Sequence, residues 1–168
     1  AIVAQSARRM ARLNQSLLLL SKIENNQFSE RKKLELKPLV EKKLAWLEDF
    51  IAEKQLVVHT DLRDKTLEIN SFLAETLVSN LLANAVKHNL VGGSLRILLD
   101  EKKFVVENSA TPPNAPVGEL TVRFARGSHQ TEGLGLGLSI VAEICTQQGL
   151  GLNLTFEKNL WTARIEFQ

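Results

Sequence analysis

The segment Asn80-Leu81-Leu82-Ala83-Asn84-Ala85-Val86-Lys87-His88-Asn89 decides how this chain is read. On a helix, Asn80, Asn84, Lys87 and His88 fall at i, i+4, i+7 and i+8 and share one face. Leu81, Leu82 and Ala85 point the other way, toward a core. Asparagine is a mediocre helix former because its side chain competes for backbone hydrogen bonds. Two of them in register with an ammonium suggest a ligand: amide oxygens bind hard cations, and lysine binds phosphate oxygens. A solvated helix face that happens to use asparagine is the competing reading.

The second informative stretch is Gly133-Leu134-Gly135-Leu136-Gly137-Leu138-Ser139-Ile140-Val141. Three glycines at alternate positions ahead of an apolar helix can present successive backbone N–H groups and a helix N-terminus to an anion. Glycine leaves the approach of a phosphate unobstructed. The stretch lacks the Lys-Ser/Thr of a P-loop and lies late in the chain, which disfavours a Walker or Rossmann site. A glycine hinge before a helix is the plain alternative.

Outward from these segments, 71–87 reads as a helix with Ser71 as N-cap and Phe72, Leu73, Leu77, Leu81, Leu82 and Ala85 buried. Gly92-Gly93 marks a turn before strands at 94–99 and 103–107. Residues 109–132 form a loop too long for a simple connection. A helix over 138–148 ends at Gly149 and Gly151, and strands at 152–156 and 162–167 close the chain. Upstream, Pro38 opens a helix running to about Lys54, followed by β-like runs at 56–59 and 67–69. Residues 26–37 read as a linker. Over 2–25, Val3, Ser6, Met10, Leu13, Leu17 and Leu20 make one helical seam. That seam wants a partner helix, or packs on its own domain. The pattern predicts an α/β fold, a two-layer sandwich with a mixed sheet covered by helices on one face, preceded by a long helix.

Composition narrows the classes. The chain has 168 residues, 44% of them hydrophobic, and a net charge of +2. Dominant disorder is excluded, and the charge gives no reason to propose a nucleic-acid or anionic-lipid partner. A single cysteine, Cys145, excludes an intrachain disulfide framework, and His59, His88 and His129 are too dispersed for a zinc centre. No apolar run approaches the ~20 residues of a membrane span, and no signal peptide is visible.

Together, the order of parts resembles the Bergerat (GHKL) ATP-binding fold, most closely the catalytic domain of two-component sensor histidine kinases. The segment from Asn80 through Asn84 to Lys87 resembles the family's N box, Arg123-Phe124-Ala125-Arg126-Gly127 its F box, and 133–141 its second glycine box. Residues 7–24 resemble the second helix of the dimerisation and phosphoacceptor hairpin. The resemblance divides the chain into that helix (1–28), a linker (29–37) and the catalytic ATP-binding domain (38–168). It implies ATP and Mg²⁺, with Asn84 on the metal, Asn80 beside the phosphates and Lys87 neutralising them. Gly133, Gly135 and Gly137 form the backbone cradle leading into Leu138, and 109–132 the lid. Arg126 is either a phosphate contact or a solvated arginine. An amide at Asn80, where related ATPases use a glutamate to activate water, favours phosphoryl transfer over hydrolysis.

Three departures stand out. Where the first glycine box has Asp-x-Gly-x-Gly, this chain has Asn108-Ser109-Ala110-Thr111-Pro112. Asn108 falls at the position that accepts from the adenine amino group, as a neutral acceptor. His88 stands where the family often has tyrosine, and either stacks near the base or caps the helix. No histidine has the phosphoacceptor context, so the chain reads as a piece beginning at the second hairpin helix, unable to phosphorylate itself. The implied function is donation of the ATP γ-phosphoryl to a histidine outside these residues, for relay to a response-regulator receiver domain. The implied parent is a homodimeric inner-membrane sensor whose cytoplasmic domain this is. A degenerate nucleotide-binding or dimerisation module and a serine kinase of the same fold are the alternatives.

Overall fold

In the computed structural model, which describes residues 2–121 and 136–168, the period-2 and period-3.6 segments resolve into two layers. A long helix α1 (Ile2–Glu24) leads to β1 (Lys32–Glu35), α2 (Leu36–Ala45), α3 (Glu48–Glu53), β2 (Val57–Leu62), β3 (Thr66–Ile69) and α4 (Ser71–Lys87). The chain continues through β4 (Ser94–Leu99), β5 (Lys103–Ser109), a 3-10 turn (Val117–Glu119), α5 (Gly137–Gln148), β6 (Gly151–Glu157) and β7 (Leu160–Glu166).

The main sheet has the order β2-β4-β5-β7-β6. β2 runs parallel to β4, and every other pairing is antiparallel. A parallel pair needs a crossover, and α4 supplies it. Alternation then sorts the side chains. Leu95, Ile97, Leu99, Phe104, Val106, Ala163 and Ile165 are buried with the apolar faces of α4 and α5, while Arg96 and Arg164 on the opposite face are exposed. The expected mixed sheet with helices on one face is present.

Several local expectations are corrected. The supposed linker contains β1, which pairs antiparallel with β3 and sets Lys33 against Glu68 and Leu34 against Leu67. A four-residue polar strand carries almost no local signal, because cross-strand pairing stabilises it. The helix expected from Pro38 starts at Leu36, leaving the proline in the first turn where its missing N–H is harmless. It also breaks at Trp46-Leu47, where the Trp46 ring lies 4.3 Å from Lys43 Nζ and that ammonium meets Glu75 of α4 at 3.3 Å. Gly151 opens β6, and Gly149 alone ends α5, at φ +72°. β2 and β5 run on to Leu62 and Ser109.

The seam of α1 divides. Leu20 and Ile23 are buried, and Leu13, Leu17 and Leu19 pack against the same core as the sheet, so the chain itself covers the C-terminal half of the stripe. Val3 and Met10 are 83% and 70% exposed. Past α1, Phe28 stacks on Phe72 with ring centroids 5.3 Å apart.

The N-cap of α4 is Asn70, not Ser71. Asn70 Oδ1 accepts from the Leu73 N–H at 3.1 Å, while Asn70 Nδ2 donates to the Glu30 carbonyl at 2.8 Å. The Asn70 backbone N–H donates to Gln148 Oε1 at 3.1 Å. Arg31 donates to the same Oε1 (3.3 Å) and to the Gln148 carbonyl (2.7 Å). One amide side chain thus joins the start of α4, the end of α5 and the segment leaving α1. Asn70→Ala removes the cap and the Glu30 contact together, and should cost about 1–2 kcal/mol in urea unfolding. Asn70→Asp keeps the cap acceptor and should lose less.

Candidate functional site

Burial of Leu81, Leu82, Ala85 and Val86 fixes the rotation of α4 about its axis. That rotation leaves Asn80 and Asn84 half-buried and sets Lys87 and His88 exposed at the end of the same face. Asn80 Nδ2 donates to the Thr76 carbonyl at 2.8 Å, which orients the carboxamide. Opposite this face stands the first residue of α5. A Cβ placed on Gly137 would lie 3.2 Å from Asn80 Oδ1 and 3.4 Å from Asn84 Nδ2. A methyl group there would press on both carboxamides, which would have to give by a few tenths of an ångström. The N-cap residue Leu136 offers no side-chain cap, and the first turn of α5, with the positive end of its dipole, lies against the amide face. Buried Leu136 and the Ser139 hydroxyl, which donates to the Leu136 carbonyl at 2.8 Å, hold this turn. Leu138 is half-buried in the same turn.

Asn108 lies at the end of β5, 1% exposed. Its Nδ2 donates to the Ser109 carbonyl at 3.0 Å, but its Oδ1 is buried without any hydrogen-bond partner among the described residues. An unsatisfied buried acceptor costs about 1–3 kcal/mol. Such an atom is explained when a ligand donor completes it. The chemistry needed is an N–H or O–H donor, from a ligand or a water.

The structure therefore brings together Asn80, Asn84 and Gly137, sets Leu138 behind them, Lys87 and His88 at the end of the helix face, and Asn108 on the sheet. Arg126, Gly133 and Gly135 lie outside the described residues. Three contributors were missed from sequence. Lys54 Nζ donates to the Lys87 carbonyl and, at 3.1 Å, to the Asn89 carbonyl, placing a cation on the C-terminus of α4. Asn89 is buried and closes the following turn, donating to the Ser94 carbonyl at 2.8 Å. Gly93 packs so tightly that a Cβ would sit 3.0 Å from that of Ser109. Lys54 had no legible signal, since its partner lies more than thirty residues away. Gly93 was visible only as a turn residue.

His88 is the C-cap of α4. Its pKa lies below the ordinary 6.5, first because surrounding protein desolvates the imidazole, then because Lys87 and Lys54 are positive. A depressed folded-state pKa means the unfolded chain takes up the proton first. The contribution of His88 to stability is therefore complete above 6.5 and declines as pH falls below it. An NMR titration should place the His88 midpoint below 6.5.

The comparisons agree with this geometry. A family model for the histidine kinase-, DNA gyrase B- and HSP90-like ATPases matches residues 70–166. The heme sensor protein HssS of Staphylococcus aureus (strain Newman) is 34% identical over 142 residues, covering 79% of this chain and 30% of that protein. Among solved structures, the Acinetobacter baumannii histidine kinase AdeS superposes with a TM-score of 0.79 at 21% identity, over 98% of this chain and 81% of that one. The mycobacterial sensor histidine kinase MprB gives 0.67 at 19%, over 82% and 97%. The chain belongs to the histidine kinase-, DNA gyrase B- and HSP90-like ATPase family. The chain spans about a third of the length of the curated relatives it matches. No described helix is long and apolar enough to cross a membrane.

Proposed function

We propose that this chain binds ATP with Mg²⁺ between the amide face of α4 and the N-terminus of α5 and presents the γ-phosphoryl for transfer to a histidine. The observation that carries it is the contact of Gly137 with Asn80 and Asn84, which joins two phosphate-seeking features separated by more than fifty residues. Asn84 offers its amide oxygen to the metal, Asn80 lies beside the phosphates, and Lys87 neutralises charge. Gly133, Gly135 and Gly137 with Leu138 form the cradle, and Arg126 adds a cation. Asn108 accepts from the adenine amino group through its unpartnered Oδ1, and His88 borders the base. Bound magnesium supplies charge neutralisation across the phosphate oxygens. With an amide at position 80, no side chain there can take a proton from water, which favours transfer over hydrolysis.

The acceptor histidine belongs outside these residues, because His59 is an exposed strand residue, His88 is the C-cap of α4, and His129, outside the described residues, falls in the stretch read as the lid. Residues 1–28 act as the second helix of the dimerisation hairpin, with 29–37 joining it to the catalytic domain at 38–168. The exposed half of α1, bearing Val3 and Met10, is the surface for a second copy. The relay ends on a response-regulator receiver domain, and the chain works as the cytoplasmic part of a membrane sensor. Ala110 and Pro112, in place of glycines, favour one second reading, a module that has lost nucleotide.

Calorimetry with ATP separates these. The native chain should bind ATP more tightly with Mg²⁺, and Asn84→Ala should weaken Mg-ATP about ten- to a hundredfold, the range for a hydrogen bond or ligand to a charged group. Absence of binding to the native chain supports the module. Because Asn108 Nδ2 is committed to Ser109, the site should prefer ATP over the 6-oxo analogue ITP, and Asn108→Ala should erase that preference.

A further inference from the structure

Asn108 does not stand alone on the helix-facing side of the sheet. The pairing register aligns Leu95, Asn108, Trp161 and Phe156 across β4, β5, β7 and β6. Trp161 is the direct cross-strand neighbour of Asn108, with Cβ atoms about 5 Å apart as in any such pair. On β7, Ala163 and Ile165 share the face of Trp161 and are fully buried in the core. Trp161 and Phe156 are only half-buried and do not belong to that core. The face is certain, because the adjacent Thr162 points to the opposite side, where its hydroxyl donates to Glu107 Oε2 at 3.2 Å. The turn before β7, with Lys158 and Asn159 at φ +52° and +61°, sets the register. It is tied to the end of β5 by the Ala110 N–H donating to the Asn159 carbonyl at 2.9 Å.

An indole face left partly open beside a buried, unpartnered acceptor is a matched pair of functions. One offers a flat apolar surface, the other a hydrogen-bond acceptor, and the row places them side by side. We propose that Trp161 is a base-binding residue of the nucleotide site, forming the stacking wall against which the purine lies while its amino group meets Asn108. This rests on the ATP-binding reading. The indole stacks on any base, and Asn108 selects the amino group; together they hold an aminopurine by face and edge. Stacking also offsets the stiffer loop that Ala110 and Pro112 create, because it anchors the base without help from loop backbone.

The chain holds two tryptophans, so Trp46→Phe, at a position 65% exposed, leaves Trp161 as the sole indole. That variant is titrated with ATP, adenosine and inorganic triphosphate while emission and calorimetric heat are followed. ATP and adenosine should quench Trp161 emission, and triphosphate should leave it unchanged. In the otherwise native chain, Trp161→Ala should weaken ATP and adenosine alike by about tenfold, and Trp161→Phe by no more than about threefold. Circular dichroism checks that each variant is folded; if Trp161→Ala is not, the emission titration and Trp161→Phe decide. ATP binding with unchanged emission, or a folded Trp161→Ala of native affinity, overturns the stacking wall and leaves the ATP-binding reading standing. No calorimetric binding of ATP by the native chain overturns both.

Discussion

The approach of two helices at a single glycine is the constraint on which the rest of this structure depends. Leu77, Leu81 and Leu82 of α4 and Ile140, Val141 and Ile144 of α5 belong to one buried core. That packing brings the start of α5 onto the polar side of α4. At Gly137 a Cβ would lie in tight contact with the carboxamides of Asn80 and Asn84. Apolar packing therefore produces a polar result: the first turn of α5 and the positive end of its dipole face two amides and, at the end of the same helix face, an ammonium.

The sheet supplies a second fixed point. Asn108 occupies a buried strand position that the alternation pattern reserves for apolar side chains, and its acceptor goes unsatisfied among the described residues. Structures tolerate such a cost where a ligand removes it. By contrast, Cys145, the other chemically versatile buried group, sits where burial pushes its thiol pKa up to about 12. It behaves as a small core side chain rather than a nucleophile.

The junction with α1 is equally physical. Gln148 receives the Asn70 N–H and the Arg31 guanidinium, so the segment leaving α1 is bonded to the N-terminus of α4 and the C-terminus of α5. These are the two helices whose other ends meet where Gly137 approaches Asn80 and Asn84. Leu20 and Ile23 bury the last turns of α1 in the same core. The long helix and the α/β layer therefore share packing rather than meeting through a bare linker.

Much of this was legible in advance. The i, i+4 spacing of Asn80 and Asn84, opposite Leu81, Leu82 and Ala85, determines by itself which face of α4 is polar, because helical periodicity depends only on residue order. Gly149 as the end of α5 and the strands at 94–99 and 103 onward follow from equally local rules. Tertiary structure decided what local rules cannot reach. It made β1 a strand through its pairing with β3, and it chose Asn70 over Ser71 as the cap because Glu30 and Gln148 hold that residue from afar. It brought Lys54 to the end of α4 and covered half of the α1 seam from within the same chain. It also set Trp161 beside Asn108. Each of these depends on partners thirty or more residues away, and such contacts exist only after the chain has closed on its core.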